Sequence, residues 1–270
     1  MKIYIDAGHG GADPGAIGHG IEEKDITLAV SLKVADHLRR NGLEVRLSRI
    51  GDVGKSLDQR TTEANAWGAD AFVSIHCNAA ASPTAEGFEV WHTIHASRSK
   101  GDELARAIVS WLDQLTPLTN RGARSKAGSS GQDYYHVIRE TKMPAVIVEC
   151  GFVSSSKDAA YLRSASGQAA IAEAIARGVV EWAGLTWRPA GASQQESGKK
   201  YRIMTGTFAT REDAEKAAEK LRQQFGWTVY VIESGDKYRL KTGTFPSHAA
   251  AEEAAEKLWQ MFWWTVYIVD

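Results

Sequence analysis

The sequence predicts an α/β protein, a twisted and mostly parallel sheet flanked by helices, followed by a small α+β unit of ferredoxin-like βαβ-βαβ type. Three observations carry this. Short apolar segments at Lys2 to Asp6, Ala71 to His76 and Ala145 to Glu149 read as buried strands. Between them lie longer segments whose apolar residues recur every three or four positions, and strands that alternate with helices run mostly parallel. Finally, the chain repeats itself: YRIMTGTFATREDAEKAAEKLRQQFGWTVYVIE from Tyr201 realigns with YRLKTGTFPSHAAAEEAAEKLWQMFWWTVYIVD, which begins 37 residues later at Tyr238.

The elements follow in order. Lys2 to Asp6 alternates polar and apolar residues, then breaks at Gly8, Gly10 and Gly11, which places His9 on a loop at a strand end. Leu28, Leu32, Ala35 and Leu38 mark a helix that stops at Asn41-Gly42, with acidic residues in its first turn to complement the helix dipole. Glu44 to Leu47 reads as the second strand, and Ser56 caps a helix through Ala66. Gly87 to His92 is a further strand, and Leu104, Ala107, Ile108, Trp111 and Leu112 form one face of a helix from about Ser99 to Leu115. Gly122 to Gln132 is small, polar and Gly-rich, a loop by composition. A helical Tyr134 to Glu140 follows, then a short helix capped by Ser156 and an Ala-rich helix from about Gly167 to Trp182. These boundaries give a first domain at 1–183, a polar linker at 184–200 and a repeat domain at 201–270. In the latter each strand-helix-strand unit cannot bury both faces alone, whereas two can share one four-stranded sheet with both helices on one side.

Composition sets limits. The 270 residues are 43% hydrophobic and 24% charged with a net charge of -1, so global charge favours neither nucleic acid nor an anionic membrane surface as partner. Cys77 and Cys150 sit in apolar strand-like runs, which is neither a disulfide framework nor a cysteine zinc site. The sequence enters a strand at once, and no run approaches eighteen apolar residues. The expectation is a protein without signal peptide or membrane span, for which a target outside the membrane needs some other means of passage, and the polar linker favours a monomer of two independent domains.

The chemistry gathers at strand ends. The His9 loop is no Rossmann turn, since Asp13 stands where a third glycine is needed, and no P-loop, since it lacks a Gly-Lys-Ser/Thr ending. His9, His76 and Glu149 close three strands, and in a parallel sheet such ends converge on one edge. Glu23, opening the first helix, stands close to them in this scheme. Two histidines and a carboxylate with an open fourth position make a catalytic zinc site, with a further carboxylate as general base. Alternation then turns Cys77 and Cys150 the other way, off the metal. His19, His92, His95 and His136 are rival ligands in less constrained contexts, read as surface residues, with His92 and His95 able to pair on one helical face.

With those motifs in hand, residues 3 to about 183 resemble the zinc-dependent N-acetylmuramoyl-L-alanine amidases of the type-3 amidase family. The resemblance rests on DAGHGGADPGA at Asp6, EKDITLAVSLKVADHL at Glu23, LSRIGDVGKSLDQRTTEANAWGADAFVSIHCNA ending at Ala79, GFEVWH at Gly87 and MPAVIVECGFVSS at Met143. It implies Zn2+ on His9, Glu23 and His76, with Glu22 in reserve, and Glu149 as the catalytic carboxylate. It further implies hydrolysis of the amide between N-acetylmuramic acid and L-alanine of peptidoglycan. Arg49, Arg60 and Asn65 match polar positions of the pattern and are expected to support the site, while Asn78 is a candidate for touching substrate. The repeat resembles a SPOR domain, with Thr-Gly-Thr-Phe at 205 to 208 and again at 242 to 245. That implies glycan strands lacking stem peptides as its partner, beside the stem peptides that the amidase resemblance implies as substrate, and an amidase without signal peptide is expected to reach the wall by lysis or through a separate pore. Met204 and Lys241 depart from the family's glutamine, and Tyr201, Tyr238, Trp227, Trp263 and Trp264 are candidates to stack on sugars or to fill the core. The competing readings are a zinc peptidase cleaving within the stem peptide and a non-catalytic wall-binding protein. An RNA reader on the same four-stranded sheet is disfavoured, because no aromatic RNP1 motif is present.

Overall fold

The computed structural model describes residues 1–82, 84–95, 100–189 and 200–245, and beyond these residues 250, 251, 254, 255, 258, 262, 264 and 266–269. Ser99 at the expected helix start, positions 190–199 of the linker and Trp263 lie outside the described residues. The chain forms two compact units, Met1–Ala190 and Gly191–Asp270. No described helix is long and apolar enough to cross a membrane.

In the first unit β1 (Lys2–Ala7) is followed by a two-stranded hairpin, β2 (Ile17–Gly18) and β3 (Ile21–Glu22), and by α1 (Glu23–Arg40). Then come β4 (Glu44–Leu47), α2 (Leu57–Trp67), β5 (Ala71–Asn78), β6 (Phe88–His92) and α3 (Lys100–Leu115). β7 (Asn120–Ser125), α4 (His136–Arg139), β8 (Ala145–Phe152), α5 (Ser156–Arg163) and α6 (Ala165–Trp182) complete it. The main sheet has the order β4-β1-β5-β8-β6-β7. β4, β1, β5 and β8 are parallel, and β6 runs antiparallel to β8. The reversal follows from the connection: among the described residues no helix lies between β5 and β6, and without a crossover helix the strand returns in the opposite sense.

Two apolar layers cover the sheet. Ile3, Ile5, Val73, Ile75 and Val148 pack with Val30, Leu38, Ile108, Leu112 and Ile175 of α1, α3 and α6. On the other face Tyr4, Phe72 and Ile147 meet Ala64 and Trp67 of α2 and Val137 and Ile138 by α4. Cys77 and Cys150 are buried in the first layer, so His76 and Glu149, one residue earlier, face the second. That is the alternation the sequence predicts.

Three local expectations are corrected. Asn120–Ser125 is a strand, not part of a loop, and pairs in parallel with β6. Its arginines hide it, because a sheet edge tolerates charge that a central strand does not. The cap of α5 is Ser155, whose hydroxyl accepts from Asp158 N, and Ser156 is the first helical residue. The helix at Tyr134 to Glu140 shortens to the single turn of α4. Ser56 caps α2 as expected, in a full capping box with Gln59. Within the stretch read as linker, Trp187 lies 5.5 Å from His37 between ring centres, and Arg188 N donates to Asn41 Oδ1.

The second unit contains β9 (Arg202–Thr205), α7 (Arg211–Phe225), β10 (Val229–Ser234), β11 (Lys237–Thr242) and β12 (Val266–Val269) in the antiparallel order β10-β11-β9-β12, the ferredoxin-like arrangement. The sequence repeat is also a repeat of contacts. Trp227 stacks on Phe225 and meets Phe245 edge-on, and Trp264 does the same with Phe262 and Phe208. Thr205 Oγ1 accepts from Leu240 N, while Thr242 Oγ1 accepts from Ile203 N. Tyr238, Trp227 and Trp264 therefore pack against the core on the helix side, and Tyr201 is buried where it pairs with Phe245. The face away from that core presents Tyr230 and Tyr267, each more than half exposed, with Met204 and Lys241 in register between them.

Candidate active site

The site lies at the carboxyl ends of β1, β5 and β8. Past Ala7 the chain turns sharply, and His9 adopts a left-handed backbone with φ of 60°, a conformation that costs a non-glycine residue roughly 1 kcal/mol or more. Its surroundings hold it there. Arg60 donates from Nη2 to His9 O at 2.7 Å and from Nη1 to Ala7 O at 2.6 Å. Arg49 donates to the carbonyls of Ala7, Gly8 and Lys24. Beneath them Asp6, 1% exposed, pairs with Arg60 Nη1 and accepts from Ser74 Oγ. Asn65 bridges Glu140 O and Lys142 N, away from the ligands. The supporting role expected of Arg49 and Arg60 is thus direct contact with the His9 loop.

Glu23 opens α1 and is buried, whereas Glu22 is exposed and lies 3.5 Å from Lys24 Nζ. Glu23 Oε1 lies 3.2 Å from His9 Nε2 and 2.9 Å from His76 Nδ1, and accepts from Cys77 N, while Oε2 accepts from Ala16 N. The His9 and His76 rings stand edge to face, 4.9 Å apart. Close packing demands glycine nearby: a Cβ on Gly8 would lie 2.5 Å from the His76 ring, and one on Gly15 2.6 Å from Glu23 Oε2. One nitrogen from each histidine and one Glu23 oxygen lie within 4.8 Å of one another, the one such metal-ligand group among the described residues. Glu149 stands in register with His76, and its Oε2 is buried without a hydrogen-bond partner among the described residues.

Charge follows this geometry. Burial opposes protonation of His9, yet Glu23 and Asp13 prevail and raise it to about 9. Burial alone would raise Glu23, but the two imidazoles hold it well below the usual carboxylate range. Burial pushes Glu149 up to about 7, with Glu23 and Glu89 adding to the rise and His76 and His9 opposing it. Two imidazoles, a buried carboxylate and no thiolate suit zinc, and the carboxylate with the unpartnered oxygen, Glu149, stands beside His76 in the sheet. Asp13 Oδ2 lies 2.8 Å from His9 Nδ1, which fixes the ring so that Nε2 is the free ligand atom.

The rival histidines do not join this group. His92 is buried, not a surface residue, between Thr93 O and Asp102, and shares no helical face with His95, which lies in an exposed turn. His19 contacts Ser154 O, and His136 lies 3.1 Å from Asp58. Asn78 donates to Glu89 Oε1 and accepts from Ala79 N. Sequence reasoning missed Asp13, four residues after His9, and Glu89, which pairs in register with Glu149 and binds Arg121. For Glu89 the signal was a charged residue inside the apolar GFEVWH run.

Comparison with known proteins finds relatives for both parts of the chain. A family model described as N-acetylmuramoyl-L-alanine amidase matches residues 3–181, and one described as SPOR domain matches 180–260. The chain is 32% identical over 220 residues to the sporulation-specific N-acetylmuramoyl-L-alanine amidase of Bacillus subtilis (strain 168), covering 81% of this chain and 79% of that protein. It is 34% identical over 198 residues to an endolysin of Bacillus phage SPP1, covering 73% and 71%. Among solved structures, the catalytic domain of CwlV, an N-acetylmuramoyl-L-alanine amidase from Bacillus (Paenibacillus) polymyxa var. colistinus, matches with a TM-score of 0.62 at 37% identity. That match covers 68% of this chain and 99% of the other.

Proposed function

The chain belongs to the N-acetylmuramoyl-L-alanine amidase family, and on that footing we propose that it works with a zinc ion held by His9, Glu23 and His76 and with Glu149 as its proton carrier. The reaction is hydrolysis of the amide joining N-acetylmuramic acid to L-alanine in the peptidoglycan of the cell wall. What carries the residue assignment is the convergence of three ligand atoms next to a buried, unpartnered carboxylate oxygen.

His9, Glu23 and His76 would hold the zinc ion, which would supply Lewis-acid chemistry for polarising the scissile carbonyl and for lowering the pKa of water to about 7. The protein's own groups do the rest. Glu149, raised toward neutrality by burial, takes a proton from the attacking water and returns it to the alanine nitrogen as the C–N bond breaks. Asp13 and the Arg60 contact to His9 O keep the His9 ring in place. The second unit binds peptidoglycan, through the face that carries Tyr230, Lys241, Met204 and Tyr267. Tethering multiplies the encounters between the site and the many identical amides of one polymer.

The test is digestion of purified peptidoglycan with identification of the amino termini released. Alanine termini that vanish on chelation and return with zinc are expected. Termini from within the stem peptide would make the chain a peptidase, and wall binding without cleavage would make it a non-catalytic adhesin.

A further inference from the structure

Beside Glu149 the second face of the sheet continues toward its β7 edge, and the residues there have no part in the chemistry above. Across from Glu149 stands Glu89, and two residues along β6 from it stands Trp91. The Arg124 guanidinium lies over the Trp91 ring at 6.0 Å, Trp91 packs against Tyr135 at 5.3 Å, and Tyr135 meets Tyr134 at 5.1 Å. Lys126 Nζ sits 3.7 Å above the Tyr134 ring. The contacts form a continuous aromatic floor from Trp91 through Tyr135 to Tyr134, with a cation over each end.

The charge along this floor is unbalanced. Arg121, Arg124 and Lys126 lie within six residues, and the buried carboxylate of Glu89 meets the two arginines but not the lysine. Arg121 spends its Nε on that carboxylate at 2.7 Å. Arg124 uses its Nε on Arg121 O, and among the described residues neither its terminal nitrogens nor the Lys126 ammonium makes a hydrogen bond. Tyr135 is held as a neutral phenol first by its burial and then by Glu149 and Glu89, which puts this floor within electrostatic reach of the proposed proton carrier. Donors left open at the rim of a site, over aromatic rings, suit a carboxylate on an extended ligand.

We propose that Arg124 and Lys126, over Trp91 and Tyr134, form the subsite for a free carboxylate of the stem peptide beyond its first alanine. The assignment rests on the hydrolase reading above for the identity of the ligand. It makes the enzyme sensitive to whether that carboxylate is free or amidated, since a neutral carboxamide loses the charge-assisted pairing with both cations.

The experiment uses the full chain and two matched preparations of solubilised peptidoglycan strands, alike except that the second stem residue carries a free α-carboxylate in one and a carboxamide in the other. Release of alanine termini is measured for wild type and for Arg124→Gln/Lys126→Gln, and binding of both ligands to chelated, metal-free protein is measured by calorimetry. The wild type is expected to favour the carboxylate strands by about tenfold in kcat/KM. The double variant is expected to lose that preference in KM more than in kcat, and the metal-free protein to show the same discrimination. Equal treatment of both ligands by the wild type, or a preference that survives in the double variant, overturns the subsite. If neither preparation is cut, the hydrolase reading fails, and the metal-free binding arm still decides whether the cations select the carboxylate.

Discussion

Gly8→Ala isolates the position of one ring. Gly8 has no positive φ, so the backbone accepts alanine there, and the whole effect is steric. The new Cβ would stand 2.5, 2.6 and 2.8 Å from Cε1, Nε2 and Nδ1 of His76, where ordinary contact begins at 3.4 Å. The strand cannot yield: Gly8 N donates to Ile75 O, and Gly8 O accepts from Thr27 and Arg49. His76 must therefore retreat by about 0.9 Å, and a displacement of that order at a reacting centre costs roughly a hundredfold in kcat/KM, about 2.7 kcal/mol. Zinc per chain is read by competition with a chromophoric chelator, turnover by alanine release, and stability by urea unfolding. Weaker zinc binding and the hundredfold loss are expected, with a stability cost of about 1–3 kcal/mol from overpacking. Gly51→Ala is the control, because its Cβ meets nothing within 4 Å, and it should leave zinc, turnover and fold in place. A Gly8→Ala protein with unchanged zinc affinity and turnover would refute the claim that His76 binds metal from where it stands.

Three further outcomes follow from the geometry. Glu149→Gln should hold one zinc per chain with kcat down by about 10²–10⁴; loss of zinc would move Glu149 into the ligand set. Since His9 must shed a proton to bind metal and is raised to about 9, zinc affinity should weaken by about tenfold or more per pH unit from pH 8 to pH 6, with proton release on binding. In the metal-free protein the same raised value stabilises the fold fully below about 6.5 and is lost as pH climbs toward about 9, so urea midpoints should fall over that range; flat profiles would contradict both. Arg60→Met should cost about 3–5 kcal/mol in urea unfolding, because it strands the Asp6 carboxylate in the interior and frees His9 O. A cost under about 1 kcal/mol would show that the pair holds nothing in place.

Much of the catalytic unit was legible because its signals are local. Glu44–Leu47 is bounded in the structure as in the sequence, and Ser56 with Gln59 announces α2 by its own hydrogen bonds. The adjacent pairs His76–Cys77 and Glu149–Cys150 could be assigned to opposite faces from alternation alone. What escaped depended on neighbours distant in sequence. NRGARS becomes a strand because β6 offers an edge, and nothing within those six residues says so. Tyr201 and Tyr238 look like sugar-binding aromatics until the fold buries the first and packs the second against the core, while Tyr230 and Tyr267, equivalent by the 37-residue repeat, are the pair left exposed, and the strand register puts them on one face with Lys241 and Met204. His92 likewise passes for a surface residue until Asp102 of α3 closes over it.

The cost of the site is carried below it. His9 is a non-glycine residue in left-handed backbone, and glycine would fit that bend with less strain, so the position is occupied for its imidazole. Holding it requires donors for carbonyls that no helix or strand partner takes, and Arg49 and Arg60 supply them from beneath β1. Two buried guanidiniums near one another repel, which together with burial lowers Arg49, and Asp6 is the buried carboxylate that pairs with Arg60. From above, Asp52 joins Gly11 N to Lys24 Nζ and ties the His9 loop to the start of α1, one residue past Glu23. The His9 loop and the start of α1 are therefore positioned by a set of charges outside the proposed ligand group. Glu23 lies against both imidazoles and accepts from the backbone amides of Ala16 and Cys77, so the fold itself holds its carboxylate in place, and zinc uptake in the proposed role would displace protons rather than assemble the fold.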